Sequence, residues 1–149
     1  MPRTVGSAPA KVLLSPAGEL HPLQRNPAMD PRIAEAFEYL RANCQNRVTE
    51  EQMALRGGLS RSRFAHLFRQ QTGATFRTAL AQFRLAKAAI LLTDSTLRIK
   101  EIAARCGYAD SHSFDKAFRS RFGLMPSAYR RSTYGYQIAH RDTKPRLTA

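Results

Sequence analysis

From residue 30 onward the apolar positions recur at helical spacing, and nowhere do they alternate as a strand would. Asp30-Pro31 is a start signal, with Asp as N-cap and Pro at the first helical position. Ile33, Phe37 and Leu40 then mark one face of a helix that runs to about Asn43. Thr49-Glu50-Glu51-Gln52 has the form of a capping box and opens a short helix through Met53, Ala54 and Arg56, which Gly57-Gly58 stops. Ser60 caps a third helix whose apolar face is Phe64, Leu67 and Phe68, closed by Gly73. Phe76, Leu80, Phe83, Ala86 and Ile90 line one face of a longer helix, about Thr75–Leu92. A fifth helix covers about Arg98–Arg105, a sixth about Ser111–Phe122, and Pro126 opens a short seventh. The pattern predicts an all-α, seven-helix bundle.

The flanks break this pattern. Residues 1–29 hold five of the eight prolines and no surviving period, which predicts a disordered tail or the remnant of a linker. Residues 132–149 are polar and read as a flexible C-terminal tail. The folded part is therefore expected at 30–131.

Inside it the sequence repeats. Met53-Ala54-Leu55-Arg56-Gly57-Gly58-Leu59 aligns with Ile102-Ala103-Ala104-Arg105-Cys106-Gly107-Tyr108 at an offset of 49. At an offset of 50, Phe64, Leu67, Phe68, Arg69 and Gly73 align with Phe114, Ala117, Phe118, Arg119 and Gly123. Each copy is a short helix, a glycine turn and a longer helix, the helix-turn-helix unit, expected at about 49–73 and 98–123 with the long helix at 75–92 joining them. Ala54 and Ala103 are small where two helices must cross closely, and Gly58 and Gly107 accept the positive φ of a sharp turn. The phenylalanines pin the second helix to the first, at a helical spacing that favours packing over stacking on bases.

Charge adds a partner to this architecture. The chain carries a formal net charge of +13, and residues 56–131 hold fifteen Lys and Arg against four Asp and Glu. Residues 30–55 hold three against five. The excess thus sits on the repeat, as a polyanion-binding surface requires, and double-stranded DNA is the expected partner. Cys44 and Cys106 are single and distant, which predicts two reduced, semi-buried thiols and no metal site. No stretch is apolar enough to span a bilayer and the N-terminus lacks a signal core, so the expected location is the cytoplasm, without membrane association.

Arg84-Leu85, Ala88, Leu91-Leu92, Ile99, Glu101-Ile102-Ala103, Gly107-Tyr108, Ser113-Phe114, Phe118, Gly123, Pro126 and Tyr129-Arg130 together resemble the signature of the AraC/XylS transcription regulators, over about 30–131. The resemblance implies a bacterial, sequence-specific regulator, more often an activator, whose fourth helix holds two helix-turn-helix units. Two departures stand out. Met125 precedes Pro126 where the family has a small hydroxyl residue, and 29 proline-rich residues are too few for the usual effector or dimerisation domain, so no small-molecule effector site and no cofactor are expected.

Helical geometry selects the groove-facing residues. With Phe64 turned inward, Ser62, His66 and Arg69 lie opposite, and His112, Lys116 and Arg119 hold the same angles in the second copy. Because base contacts come mostly from the first half of a groove helix, the base-reading set is expected to be Ser62, Ala65, His66, Ser111, His112 and Lys116. The resemblance points to the same positions. Ser60, Arg61, Arg63, Arg69, Asp110, Arg119 and Arg121 form the expected phosphate-contacting set. Asp115 is expected to pair with Arg119 at i,i+4, the alternative being a bond from cytosine N4. No histidine has a nucleophile or carboxylate constellation, so no catalytic residue is expected.

The function expected from these features is transcription regulation, with two recognition helices in successive major-groove segments and RNA polymerase as a possible further contact. Three alternatives stay open at this stage: a non-specific basic nucleic-acid binder, a DNA-repair alkyl transferase carrying such a module, and the DNA-binding remnant of a longer effector-responsive regulator. The second needs a reactive cysteine outside the repeat, and residues 1–29 hold none.

Overall fold

The computed structural model describes residues 28–94 and 96–141, with side chains as far as residue 133. Among the described residues there are seven α-helices and no strand: α1 (Pro31–Asn43), α2 (Glu50–Arg56), α3 (Arg61–Thr72), α4 (Phe76–Asp94), α5 (Ile99–Arg105), α6 (Ser111–Phe122) and α7 (Pro126–Arg141). The all-α expectation holds. The chain divides into two compact units after Arg84, with α4 contributing residues to each. The expected N-terminal linker lies outside the described residues as far as residue 27, as do residues 142–149 of the expected tail.

The first unit starts where the sequence said. The Asp30 side chain accepts from the Arg32 N–H, with Pro31 in the first turn of α1. Thr49 and Gln52 close the reciprocal capping box on α2. Ile33, Phe37 and Leu40 of α1, Met53 and Ala54 of α2, Phe64 and Phe68 of α3, and Phe76, Ala79 and Phe83 of α4 make one core. Phe64, Phe68 and Phe76 form a triangle of rings with centroids 5.6 to 6.0 Å apart. The buried Thr72 hydroxyl is satisfied by the Phe68 carbonyl at 2.7 Å.

The second unit repeats the plan. Leu85, Ala88, Ala89 and Leu92 of α4 pack with Ile102, Ala103, Cys106, Phe114 and Phe118. Here Tyr129 of α7 meets Phe118 edge-on at 5.3 Å, as Phe76 meets Phe68 in the first unit. Helix α5 begins without a hydroxyl or carboxylate cap of its own; Glu101 reaches back to accept from the Arg98 N–H at 2.8 Å.

Three expectations are corrected. Ile90, assigned to the buried stripe of α4, is 49% exposed. The stripe changes register between Phe83 and Leu85, because the helix serves the first core with Phe76, Ala79 and Phe83 and the second with Leu85, Ala88, Ala89 and Leu92. A single apolar face extrapolated from Phe76 therefore arrives at the wrong residue. Helix α7 is not short and the polar segment after 131 does not end it: the helix continues to Arg141. The hydroxyls of Ser132 and Thr133 both bond back to the Tyr129 carbonyl, at 2.8 and 3.1 Å, so these residues follow the helix instead of breaking it. Cys44 and Cys106 are buried thiols outside any disulfide, not semi-buried ones. No described helix is long and apolar enough to cross a membrane.

Candidate nucleic-acid interface

Two turns aim the candidate helices, and they match bond for bond. After α2 the Gly58 N–H donates to the Leu55 carbonyl at 3.1 Å and the Leu59 N–H to that of Ala54 at 2.9 Å. After α5 the Gly107 N–H donates to Ala104 at 3.1 Å and the Tyr108 N–H to Ala103 at 3.0 Å. This paired closure is the Schellman motif, and it needs a left-handed residue at its corner. Gly58 and Gly107 supply it, with φ of 64° and 86°. Neither turn leaves the placement of the next helix to chance.

The helices after the turns start and end alike. The Ser60 hydroxyl accepts from the Arg63 N–H, and an Asp110 oxygen accepts from the Ser113 N–H at 2.7 Å. Left-handed Gly73 and Gly123 close them on the Arg69 and Arg119 carbonyls. With Phe64, Phe68, Phe114 and Phe118 wholly buried, the opposite faces are left to solvent.

On α3, Ser62 and His66 are exposed and Ala65 is half-buried; on α6, His112 and Lys116 are exposed and Ser111 is half-buried. Ser60, Ser62, Arg63 and His66 come together along an open groove whose far side is made by Asp30 and Arg32, with Leu67 and Gln70 on the α3 flank. His112, Asp115, Lys116 and Arg119 line the corresponding groove on α6, with Ser120 and Met125. Ala65, Ser111, Arg61 and Arg69 fall outside these two grooves. Arg61 is exposed and bonded to Glu50 at 3.1 Å.

Several side chains stand differently from expectation. Arg121 does not join the outward set: seven residues after Phe114 it returns to that side of α6, half-buried, with its guanidinium over the Phe122 ring at 5.4 Å. Asp110 is committed to its own helix, since its second oxygen also accepts from the Ser113 hydroxyl at 2.8 Å. The bonds from Ser113 hold its carboxyl below the usual carboxylate range, so it is an anion. The expected Asp115–Arg119 ion pair does not form among the described residues, and Asp115 Oδ1 is buried without a hydrogen-bond partner. Asp115 and Arg119 line the same groove without pairing, and Arg119 stays exposed.

Two signature residues that the sequence could not place acquire structural roles. Arg84 of α4 donates to the Cys44 carbonyl at 2.7 Å and to that of Asn46 at 3.1 Å, tying down the segment that leads into α2. Arg130 of α7 donates to the Leu92 and Leu97 carbonyls at 3.2 and 2.7 Å and does the same for the segment leading into α5. Arg32 was also missed. Thirty residues separate it from Ser62, and only the packing of α1 on α3 brings it to the groove.

Comparison with known proteins agrees with this arrangement. A family model described as a helix-turn-helix domain matches residues 53–132. The chain belongs to the AraC/XylS family of helix-turn-helix transcription regulators. It is 48% identical over 64 residues to the HTH-type transcriptional activator RhaR of Cronobacter sakazakii, covering 43% of this chain and 23% of that protein. It is 31% identical over 101 residues to the xylose operon regulatory protein of Escherichia coli K12, covering 68% of this chain and 26% of that one. The chain thus spans about a quarter of the length of these curated relatives. Among solved structures, the C-terminal domain of AraT, a response regulator from Geobacillus stearothermophilus, superimposes with a TM-score of 0.67 at 32% identity, covering 70% of this chain and 88% of that domain. The DNA-binding domain of AdpA, solved in complex with a target DNA, gives 0.70 at 28% identity, covering 73% and 98%.

Proposed function

We propose that this protein is a sequence-specific regulator of transcription that binds double-stranded DNA, with α3 and α6 each entering a segment of the major groove. The observation that carries the reading is the doubled Schellman turn: each copy holds a helix with its aromatics buried and a polar, largely exposed face outward, within the basic stretch of the chain. A non-specific basic binder has no need of two such matched turns.

Ser62, Ala65, His66, Ser111, His112 and Lys116 are the residues offered to base edges, and Arg61, Arg63, Arg69 and Arg119 those offered to phosphates. Asp110 is left out of direct phosphate contact because it is a carboxylate, and with Ser60 it serves the interface by capping the helix that enters the groove. Arg121, laid over Phe122, contributes only from the edge of the surface. The two units read DNA unequally. Ser62 and Ala65 are short, so α3 reads few bases and measures the backbone, while His112 and Lys116 let α6 read more.

The names of the relatives favour activation, which implies a contact with RNA polymerase. Bacterial cytoplasm is the setting of that activity. Selection of bound sites from random duplex DNA, followed by footprinting, tests the whole reading. A preferred site with two protected major-groove segments is expected; uniform affinity across sequences with only a steep salt dependence would indicate the non-specific alternative. The inequality is tested by His66→Ala against Lys116→Ala, the second being expected to relax base preference more.

A further inference from the structure

The groove beside α3 contains an arginine that belongs to neither recognition helix. Arg32 stands in the first turn of α1, and its Nε and Nη2 donate to the two oxygens of Asp30 at 2.9 and 2.7 Å. Asp30 is itself fixed twice more. Its Oδ1 accepts from the Arg32 N–H at 2.9 Å, and its own N–H donates to Gln71 Oε1 of α3 at 2.9 Å. The base of the Arg32 side chain lies against Gly57 at the end of α2, 3.5 Å from where a Cβ on that glycine would stand. The guanidinium is thereby oriented from α1, α2 and α3 at once while its side chain stays 45% exposed.

A guanidinium has five N–H donors, and this lock uses one from Nε and one from Nη2. The end-on pair, Nη1 with the second N–H of Nη2, remains available for a two-pronged bond to an anion. It lines the same groove as Arg63, Leu67 and Gln70 of one α3 flank, which Ser62 and His66 border from the face opposite Phe64. A helix lying in a major groove meets base edges with its outermost face and the phosphate walls with its flanks.

We propose that Arg32, oriented by Asp30, grips a DNA backbone phosphate beside α3 and fixes the register in which that helix enters the groove. The proposal rests on the reading of α3 as a groove helix. It places one phosphate contact in the part of the chain whose local charge is acidic, where residue counting would not seek it.

The test is duplex binding by the 149-residue chain as a function of salt, for wild type, Arg32→Lys and Arg32→Ala, on a selected site and on single-base variants of it. Arg32→Ala is expected to weaken binding about tenfold near 0.1 M salt, equally for all sequences, and to lower the salt slope by about 1. Arg32→Lys keeps the charge without the fork and falls between the two. Thermal melting of each variant separates lost contact from lost fold. Unchanged affinity and slope for Arg32→Ala would show that the Asp30 pair is only a local helix-start feature and overturn the proposal. A loss confined to one base position would also overturn it, in favour of a base contact. Both leave the groove-helix reading intact if His66→Ala or Arg63→Ala still weakens binding, whereas failure of the wild type to bind any duplex overturns both.

Discussion

Arg84 reaches forty residues back along the chain to donate its Nε to the Cys44 carbonyl at 2.7 Å. Arg130 reaches thirty-three residues back to donate its Nη2 to the Leu97 carbonyl, also at 2.7 Å. These bonds hold the entry to each helix-turn-helix unit from the helix that follows it. Replacing either arginine leaves carbonyls without their donor. Arg84→Ala and Arg130→Ala are each expected to lower stability by about 1–3 kcal/mol in chemical denaturation. Lysine should rescue only part of this, because it cannot supply two donors in one plane.

Asp115 gives a prediction of opposite sign. Its Oδ1 is buried without a partner on the helix offered to DNA, amid Lys116 and Arg119 in a groove that must approach an anion. Asp115→Ala is expected to raise duplex affinity and to leave stability unchanged or improved by up to about 1 kcal/mol. Titration binding beside a denaturation curve checks it, and a loss of affinity confined to one base position would instead make Asp115 a reader of an amino group such as cytosine N4.

The corner of the first turn tests backbone rather than contact. A Cβ at Gly58 would meet nothing within 4 Å, yet φ is +64°. Gly58→Ala is therefore expected to cost about 1 kcal/mol through strain alone, and Gly58→Asn less, since Asn tolerates the left-handed region. Equal melting temperatures for the three proteins would show that the turn relaxes to another conformation.

Core aromatics should behave differently from the polar face. Phe118 is wholly buried against Phe114, Phe122 and Tyr129. Phe118→Ala is expected to lose about 3–5 kcal/mol, with DNA binding failing through unfolding. Lys116→Ala should weaken binding with an unchanged melting curve.

Acid should weaken two of the helix starts. The Arg32 guanidinium holds the Asp30 carboxyl down at about 2, and Ser113 lowers that of Asp110. A carboxylate whose folded value lies below its unfolded value of about 3.9 stabilises the fold above that pH and loses the contribution as pH falls toward the folded value. Wild-type stability should decline from about pH 4 toward pH 2, and Asp30→Asn should show a smaller decline. The two proteins compared by denaturation across that range measure the difference.

Much of this was legible in the sequence because it is local. The caps at Asp30, Thr49 and Ser60, the glycine corners at 58 and 107, and the inward aromatics each depend on residues within a few positions of one another, and helical periodicity reports them directly. The outward positions Ser62, His66, His112 and Lys116 follow from the same period once the buried face is known. Tertiary structure decided the rest. The register change that exposes Ile90 arises because α4 serves two cores, which no single stripe encodes. Which arginines brace loops and which face outward depends on contacts more than thirty residues away, so Arg84 and Arg130 look in sequence like Arg63 and Arg119. Asp115 and Arg119 stand at pairing distance in sequence and line one groove, yet the Asp115 Oδ1 is buried without a partner, which spacing alone does not reveal. The short-range period set the helices and most of their faces; packing decided the register of α4 and the long-range partners of Arg84 and Arg130, since burial and charge there are settled between elements distant in the chain.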